Sequence, residues 1–281
     1  AAEAAYDIIK QKTDLGLDLV PYPQIFNDVN NQKAEVILYR PTGESGDFEK
    51  ANFPIGVEGG KTSTCPTQNL MEAYDMKDGT PFVWNNQSNP YDNRDPRMKY
   101  TIVCNEMKWP VDPVEIWEGG TNGLPLQNAT TTGYYLKKYV NNTISFEAGS
   151  TVTKKQHNWV LFRYGEILLN YAEAMINAFH DPNYKDAVYN MSAREAVNQI
   201  RGRTNISLPG FPSDITEKDF VKRLKNERRV ELAFEGHRFW DVRRWKELGQ
   251  TANIYGVKIT KNNEVISYEK FLLETRAVTD N

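Results

Sequence analysis

Several chemistries are poorly provided for in this 281-residue chain. It has two cysteines, Cys65 and Cys104, with no CxxC spacing and no histidine beside them. A zinc site is therefore not expected, and the spacing leaves open whether the two pair. The three histidines, His157, His180 and His237, are scattered, and HExxH, GxSxG and P-loop patterns do not occur. Metal-assisted and nucleophilic hydrolysis thus find no support, and no catalytic residue, metal or cofactor is expected. The formal net charge is only -3, which does not point to a nucleic-acid binder. Apolar runs are short, as from Trp159 to Phe162, so no transmembrane helix is expected. No positive stretch followed by an apolar one opens the chain. An export signal or lipid anchor is expected either before Ala1 or nowhere.

What is abundant is aromatic: 12% of residues, including fifteen Tyr and six Trp. Charged residues at 25% and hydrophobic ones at 40% are ordinary for a globular protein. We read one region with three textures. Residues 1–40 begin in mid-helix with AAEAAYDIIKQK, as a fragment would, and end in a short extended segment, KAEVILY, before a turn at Pro41-Thr42-Gly43. Residues 41–150 hold eleven of the eighteen glycines and nine of the fourteen prolines. They predict a loop-rich excursion with short strands and one short helix around Gln68 to Asp75. An excursion of this length is usually functional or disordered, and its Trp content argues against disorder.

Residues 151–281 turn helical. WVLFRYGEILLNYAEAMINA predicts a helix from Trp159, apolar on nearly every side. Ser192 and Glu195 form a capping box for a second helix, and Thr216 with Asp219 caps a third that runs to Gly236. HRFWDVRRWKEL makes a fourth. Beyond Thr251 the pattern weakens.

On the third helix Phe220, Val221 and Leu224 mark the apolar face. Glu227, Arg228, Glu231, Leu232 and Glu235 continue that same stripe, so charges point where the core should be. Arg163, Glu166, Asn170 and Glu173, spaced 3, 4 and 3, form a second polar stripe on the helix from Trp159. A partly buried network is therefore expected to join Arg163, Glu166 and Glu173 to Glu227, Arg228, Glu231, Glu235 and Arg238. Such a network reads better as a register lock between helices than as acid/base chemistry, because its arginines keep every carboxylate ionised.

The stretches NERRVELAFEGHRFWDVRRW, LFRYGEILLNYAEAMINA, AVNQIRGRTNISLP, MEAYDMKDGTPF and NPYDNRDPRMKYTIV, in their order, resemble the SusD/RagB family of outer-membrane nutrient-binding lipoproteins. The resemblance covers nearly the whole chain and matches the C-terminal half of such proteins. It implies a mainly α, SusD-like fold of tetratricopeptide-like helical hairpins plus the loop-rich excursion. It also implies a non-enzymatic protein on the extracellular face of the outer membrane. Such a protein binds oligosaccharide, or in some members peptide, and passes it to a TonB-dependent transporter. Membrane attachment would come only from a lipid anchor that this chain does not carry.

Sugar recognition uses aromatic platforms with polar side chains around them, which makes Trp84, Tyr91, Trp109 and Trp117 the ligand-binding candidates, each also a plausible packing residue. Trp240 and Trp245 read as core. Asn93 to Arg97 reads as a turn in which arginine satisfies carbonyls, and Asp75, Asp78 and Gly79 as a turn without the DxDxDG spacing of a calcium loop. The sequons at Asn128 and Asn141 carry no meaning in a bacterial protein. A helical glycoside hydrolase and a pure interaction scaffold are the rival readings.

Overall fold

Alanine-rich sequence opens the molecule as α1, Ala2–Lys10, which buries Ala5, Tyr6 and Ile9. In this computed structural model residues 1–26, 33–86, 89–147 and 153–279 are described. Eight α-helices and three two-stranded antiparallel sheets occur among them.

The first sheet departs from expectation. β1, Val36–Ser45, does not turn at Pro41 but continues past it, and pairs with β4, Lys155–Arg163. The register runs Val36↔Arg163, Arg40↔Trp159 and Ser45↔Lys155. The helix predicted from Trp159 therefore starts only at Tyr164, as α5, Tyr164–Phe179. The short apolar run Trp159 to Phe162 has no period of its own that separates strand from helix. Pairing with β1, which is distant in sequence, decides it. Arg163 consequently closes a strand and does not share a helical stripe with Glu166.

The helical region follows. Ser192 and Glu195 close a reciprocal capping box on α6, Ala193–Arg201. Thr216 accepts from the Asp219 amide to cap α7, Glu217–Glu231. The helix ends five residues before Gly236, and α8, Arg238–Arg244, follows a short turn. Helices α1, α6 and α7 all pack on α5 around Tyr171, Ala172, Ala196, Ile200, Phe220 and Leu224.

The excursion builds its own core from short elements: α2 (Asp47–Asn52), α3 (Gln68–Met71), α4 (Pro96–Thr101), β2 (Ile102–Val103) and β3 (Tyr135–Leu136). A long hairpin joins it, β5 (Asn253–Asn262) with β6 (Val265–Thr275), turning at Asn263, whose φ is 53°. Asn commonly accepts this left-handed geometry. The hairpin docks through Asn69 of α3, whose side chain accepts from the Tyr255 amide at 2.8 Å and donates to the Asn253 carbonyl at 3.0 Å. A third apolar cluster, including Tyr22, Phe26, Tyr139 and Val160, fills the seam between helical and excursion cores.

Candidate functional site

Helical spacing places Phe220, Leu224, Glu227 and Glu231 on the buried face of α7. Two apolar side chains meet the helical core, and the two carboxylates then enter the seam. There Glu231, 0% exposed, accepts from three guanidiniums: Arg97 at 2.8 Å, Arg163 at 2.8 Å and Arg203 at 2.7 Å. Glu227 accepts from Arg97 at 2.6 Å and Arg201 at 2.7 Å. Arg163 also donates to Glu35 at 2.7 Å and, through Nε, to Glu235 at 2.7 Å. Asp95, the N-cap of α4, holds Arg97 from behind at 2.7 Å. Lys138 reaches Glu235 at 2.8 Å and the Tyr22 hydroxyl at 2.9 Å.

The charges balance. Arg97, Arg163, Arg201, Arg203 and Lys138 face Glu35, Asp95, Glu227, Glu231 and Glu235, all with side chains at most 3% exposed. Burial alone would raise the Glu231 carboxyl, but Arg203, Arg163 and Arg97 override it and hold the group far below the ordinary carboxylate range. Glu227 and Glu235 are pulled down in the same way. Carboxylates this firmly ionised hold no proton to donate.

A second, smaller set surrounds Arg228. It donates to Asp241 at 2.9 Å and Asn170 at 2.7 Å, with Glu166 at 3.8 Å. Glu173 lies apart from the α7 carboxylate network. It accepts from Arg244 of α8 at 2.7 Å and from the Trp245 indole at 2.8 Å. Arg238 stands outside both sets. It donates instead to Gln250 at 3.1 Å, because the chain leaves the α7 axis before reaching it.

The four aromatic candidates do not converge. Trp84, Tyr91 and Trp117 are half-buried against the excursion core. Tyr91 makes edge contacts with Tyr134 and Tyr268, and the Lys261 ammonium lies 4.6 Å from the Trp117 ring centre. Trp109 is the most buried of the four, 7% exposed and part of the same core, and it alone of them lines a principal cavity, of about 450 Å³. A tight loop places it there, with its amide donating to the Asp112 carbonyl at 2.9 Å. Tyr100, Tyr139, Lys137, Asn141 and Asn142 complete much of the wall. The Lys137 ammonium sits 4.9 Å from the Trp109 ring centre. Trp240 is not core: it is 66% exposed on α8, packed edge-on to Phe239, while Trp245 is half-buried. The seven-residue α8 buries Asp241 and Val242 and turns its aromatic pair outward.

A model of the SusD family matches residues 25–276. The chain belongs to the SusD family. A SusD-like protein of Bacteroides fragilis superposes with a TM-score of 0.76 at 26% identity, over 99% of this chain and 58% of that one. A SusD-like carbohydrate binding protein of the same organism gives 0.76 at 25%, over 91% and 50%. The SusD-like protein P38 of Formosa agariphila is 37% identical over 91 residues, 30% of this chain and 16% of that protein. The chain thus spans about half the length of these solved SusD-family structures and less of the curated relative.

Within this SusD-family chain, sequence reading missed Glu35, Asp95, Arg97, Lys138, Arg201 and Arg203 as network members. Two of them had a local signal. Arg201 ends the amphipathic helix α6 and Arg203 follows its C-cap Gly202, and both guanidiniums reach α7. Arg94 does satisfy carbonyls, donating to Met71 at 2.7 Å and Tyr74 at 2.6 Å. Arg97 instead lies in the first turn of α4 and goes to the carboxylates.

Proposed function

We propose that this SusD-family chain binds saccharide without transforming it, in the cavity beside Trp109. The protein would hand the saccharide to a TonB-dependent transporter from the extracellular face of the outer membrane. A lipid anchor on a segment outside this chain would hold it there. No helix among the described residues is long and apolar enough to cross a membrane. The helices packed on α5 read as tetratricopeptide-like hairpins and residues 41–150 as the ligand side. The buried ion network reads as the lock that sets the register between the two.

The observation that carries this reading is the composition of that cavity. Aromatic Trp109, Tyr100 and Tyr139 stand beside amide and ammonium donors from Asn141, Asn142 and Lys137. Rings cover the apolar faces of a sugar and donors meet its hydroxyls. Trp109 and Tyr139 are each only 7% exposed, so they offer ring edges and the half-buried Tyr100 offers the larger apolar surface. Such edges with a few hydrogen bonds give affinity of roughly a millimolar Kd, which suits a carrier that must release its cargo. The similarity to a carbohydrate binding protein of Bacteroides fragilis supports the same class of ligand.

Calorimetric titration with a panel of neutral oligosaccharides tests it. Trp109→Ala weakens the best ligand about tenfold or more, and exposed Asn142→Ala weakens it without touching the core. Trp117→Ala leaves it unchanged. Equal binding in Trp109→Ala and Asn142→Ala removes the site, a peptide as the sole ligand removes the saccharide reading, and sustained release of reducing ends makes the protein an enzyme.

A further inference from the structure

Helix α7 has a second face. Lys218, Lys222, Lys225 and Arg229, spaced 4, 3 and 4, line a cavity of about 480 Å³ away from the buried carboxylates. Arg238 and the ring of Phe82 also line it, and it shares no lining residue with the Trp109 cavity. Its volume falls within the roughly 300–1,000 Å³ of small-molecule sites and exceeds what a bare ion fills.

The wall carries six cations and three carboxylates, in a chain whose net charge is -3. Each carboxylate is already engaged. Glu72 pairs with Lys270 at 2.8 Å, Asp75 lies 3.6 Å from Arg201, and Glu247 pairs with Lys225 at 2.5 Å. Among the described residues, Lys218, Lys222, Arg229 and Arg238 have no salt bridge. Arg229 is largely enclosed and donates to the Asn69 carbonyl at 2.8 Å. Burial, and then the guanidinium of Arg238, press it down to about 10. The carboxylates within electrostatic reach of Arg238 are committed elsewhere, Asp241 to Arg228 and Arg244 and Glu247 to Lys225. Glu72, the carboxylate that attracts Arg229, is likewise committed to Lys270, and cations that face one another beside such spoken-for carboxylates are relieved by an oxyanion placed between them.

We propose that this cavity binds an acidic saccharide, its carboxylate or sulfate ester held by Arg229 and Arg238 and its ring beside Phe82. The guanidiniums offer forked donors matched to an oxyanion, and Lys222 at the rim adds long-range attraction. Phe82 supplies an apolar wall and is itself backed by the Arg94 guanidinium, 3.6 Å from its ring centre. This deepens the saccharide reading above by naming a charge class and a separate place for it.

The test titrates the 281-residue chain with oligogalacturonate, a neutral galactose oligomer of equal length and inorganic sulfate. Oligogalacturonate binds with a Kd below about 1 mM, and raising salt from about 50 to about 500 mM weakens it several-fold. Arg238→Gln weakens it about tenfold. Exposed Lys222→Gln weakens it about twofold, with the urea midpoint of either variant close to wild type. Affinity unchanged in both variants, or sulfate bound as tightly as oligogalacturonate, overturns the proposal. If neutral oligomers bind and the acidic one does not, this inference falls and the reading above stands. If neither saccharide binds, both fall.

Discussion

Replace Glu231 with glutamine. The substitution keeps the shape of the side chain and removes one charge and one acceptor oxygen. Oε1 of Glu231 accepts from Arg163 and Arg203 at 2.8 and 2.7 Å, and Oε2 accepts from Arg97 at 2.8 Å. A glutamine has a single acceptor oxygen. Whichever way the amide turns, at least one guanidinium N–H then points at another N–H. The balance of five cations against five carboxylates becomes an excess of one positive charge in a site closed to water. Each ion pair has a Coulomb energy of about 4 kcal/mol at 4 Å and an effective dielectric constant of 20, much of it offset by desolvation. The expected net loss is therefore that of breaking one buried pair, about 3–5 kcal/mol. Domain stabilities are roughly 5–15 kcal/mol, so about a fifth or more of the total goes. Tm falls by about 10 °C. Urea denaturation at neutral pH measures it as a lower midpoint with unchanged slope. Glu173→Gln is the comparator, because its partner Arg244 is 41% exposed, and it loses no more than about 1 kcal/mol. A loss below about 1 kcal/mol for Glu231→Gln, or one equal to that of Glu173→Gln, refutes the interior-lock argument.

Acid dissects the same network. Glu227, Glu231 and Glu235 bind protons less readily folded than unfolded, so their contribution is complete above the ordinary value of 4.5 and is lost as pH falls through their folded values. The urea midpoint of the wild type should fall steadily from about pH 5 toward pH 2, and that of Glu231→Gln less steeply; parallel curves would remove Glu231 from the account. Cys104 is buried and its thiol is pushed up to about 12, whereas Cys65 is partly exposed and both are free. Mass spectrometry after alkylation near neutral pH should find Cys65 modified first and Cys104 only after unfolding, and equal labelling contradicts the burial. Ser192→Ala removes one half of a reciprocal cap and should lower stability by about 1 kcal/mol, read from the urea midpoint, with an unchanged value counting against it.

Legibility in the sequence followed the range of the interactions. The capping box at Ser192 and Glu195 and the Thr216 cap are three-residue events, and both were visible. The acidic stripe on α7 was visible too, since 3.6 residues per turn place Glu227 and Glu231 beneath Leu224 without help from elsewhere. The β5–β6 hairpin went unread although Asn263 and Glu264 connect its strands and Tyr255, Val257 and Ile259 alternate, because Ile254 out of phase and Gly256 without a side chain blur the pattern. Of the aromatic candidates only Trp109 lines a principal cavity, and it is itself buried, since ring count does not say which rings a neighbouring loop will cover.

The family, the paired charges on α7 and the loop-rich texture of residues 41–150 were thus available from the chain alone, being properties of spacing and composition. Folding alone chose the partners. Glu35 and Arg163 are 128 residues apart, and Arg97 and Glu231 are 134 apart. Folding also chose the strand over the helix from Trp159 to Phe162 and the outward turn of Trp240. The physical reason is common to all of them. A local pattern specifies which face of an element is apolar or charged, but the free energy of burying a charge depends on whether an opposite charge arrives from a distant segment.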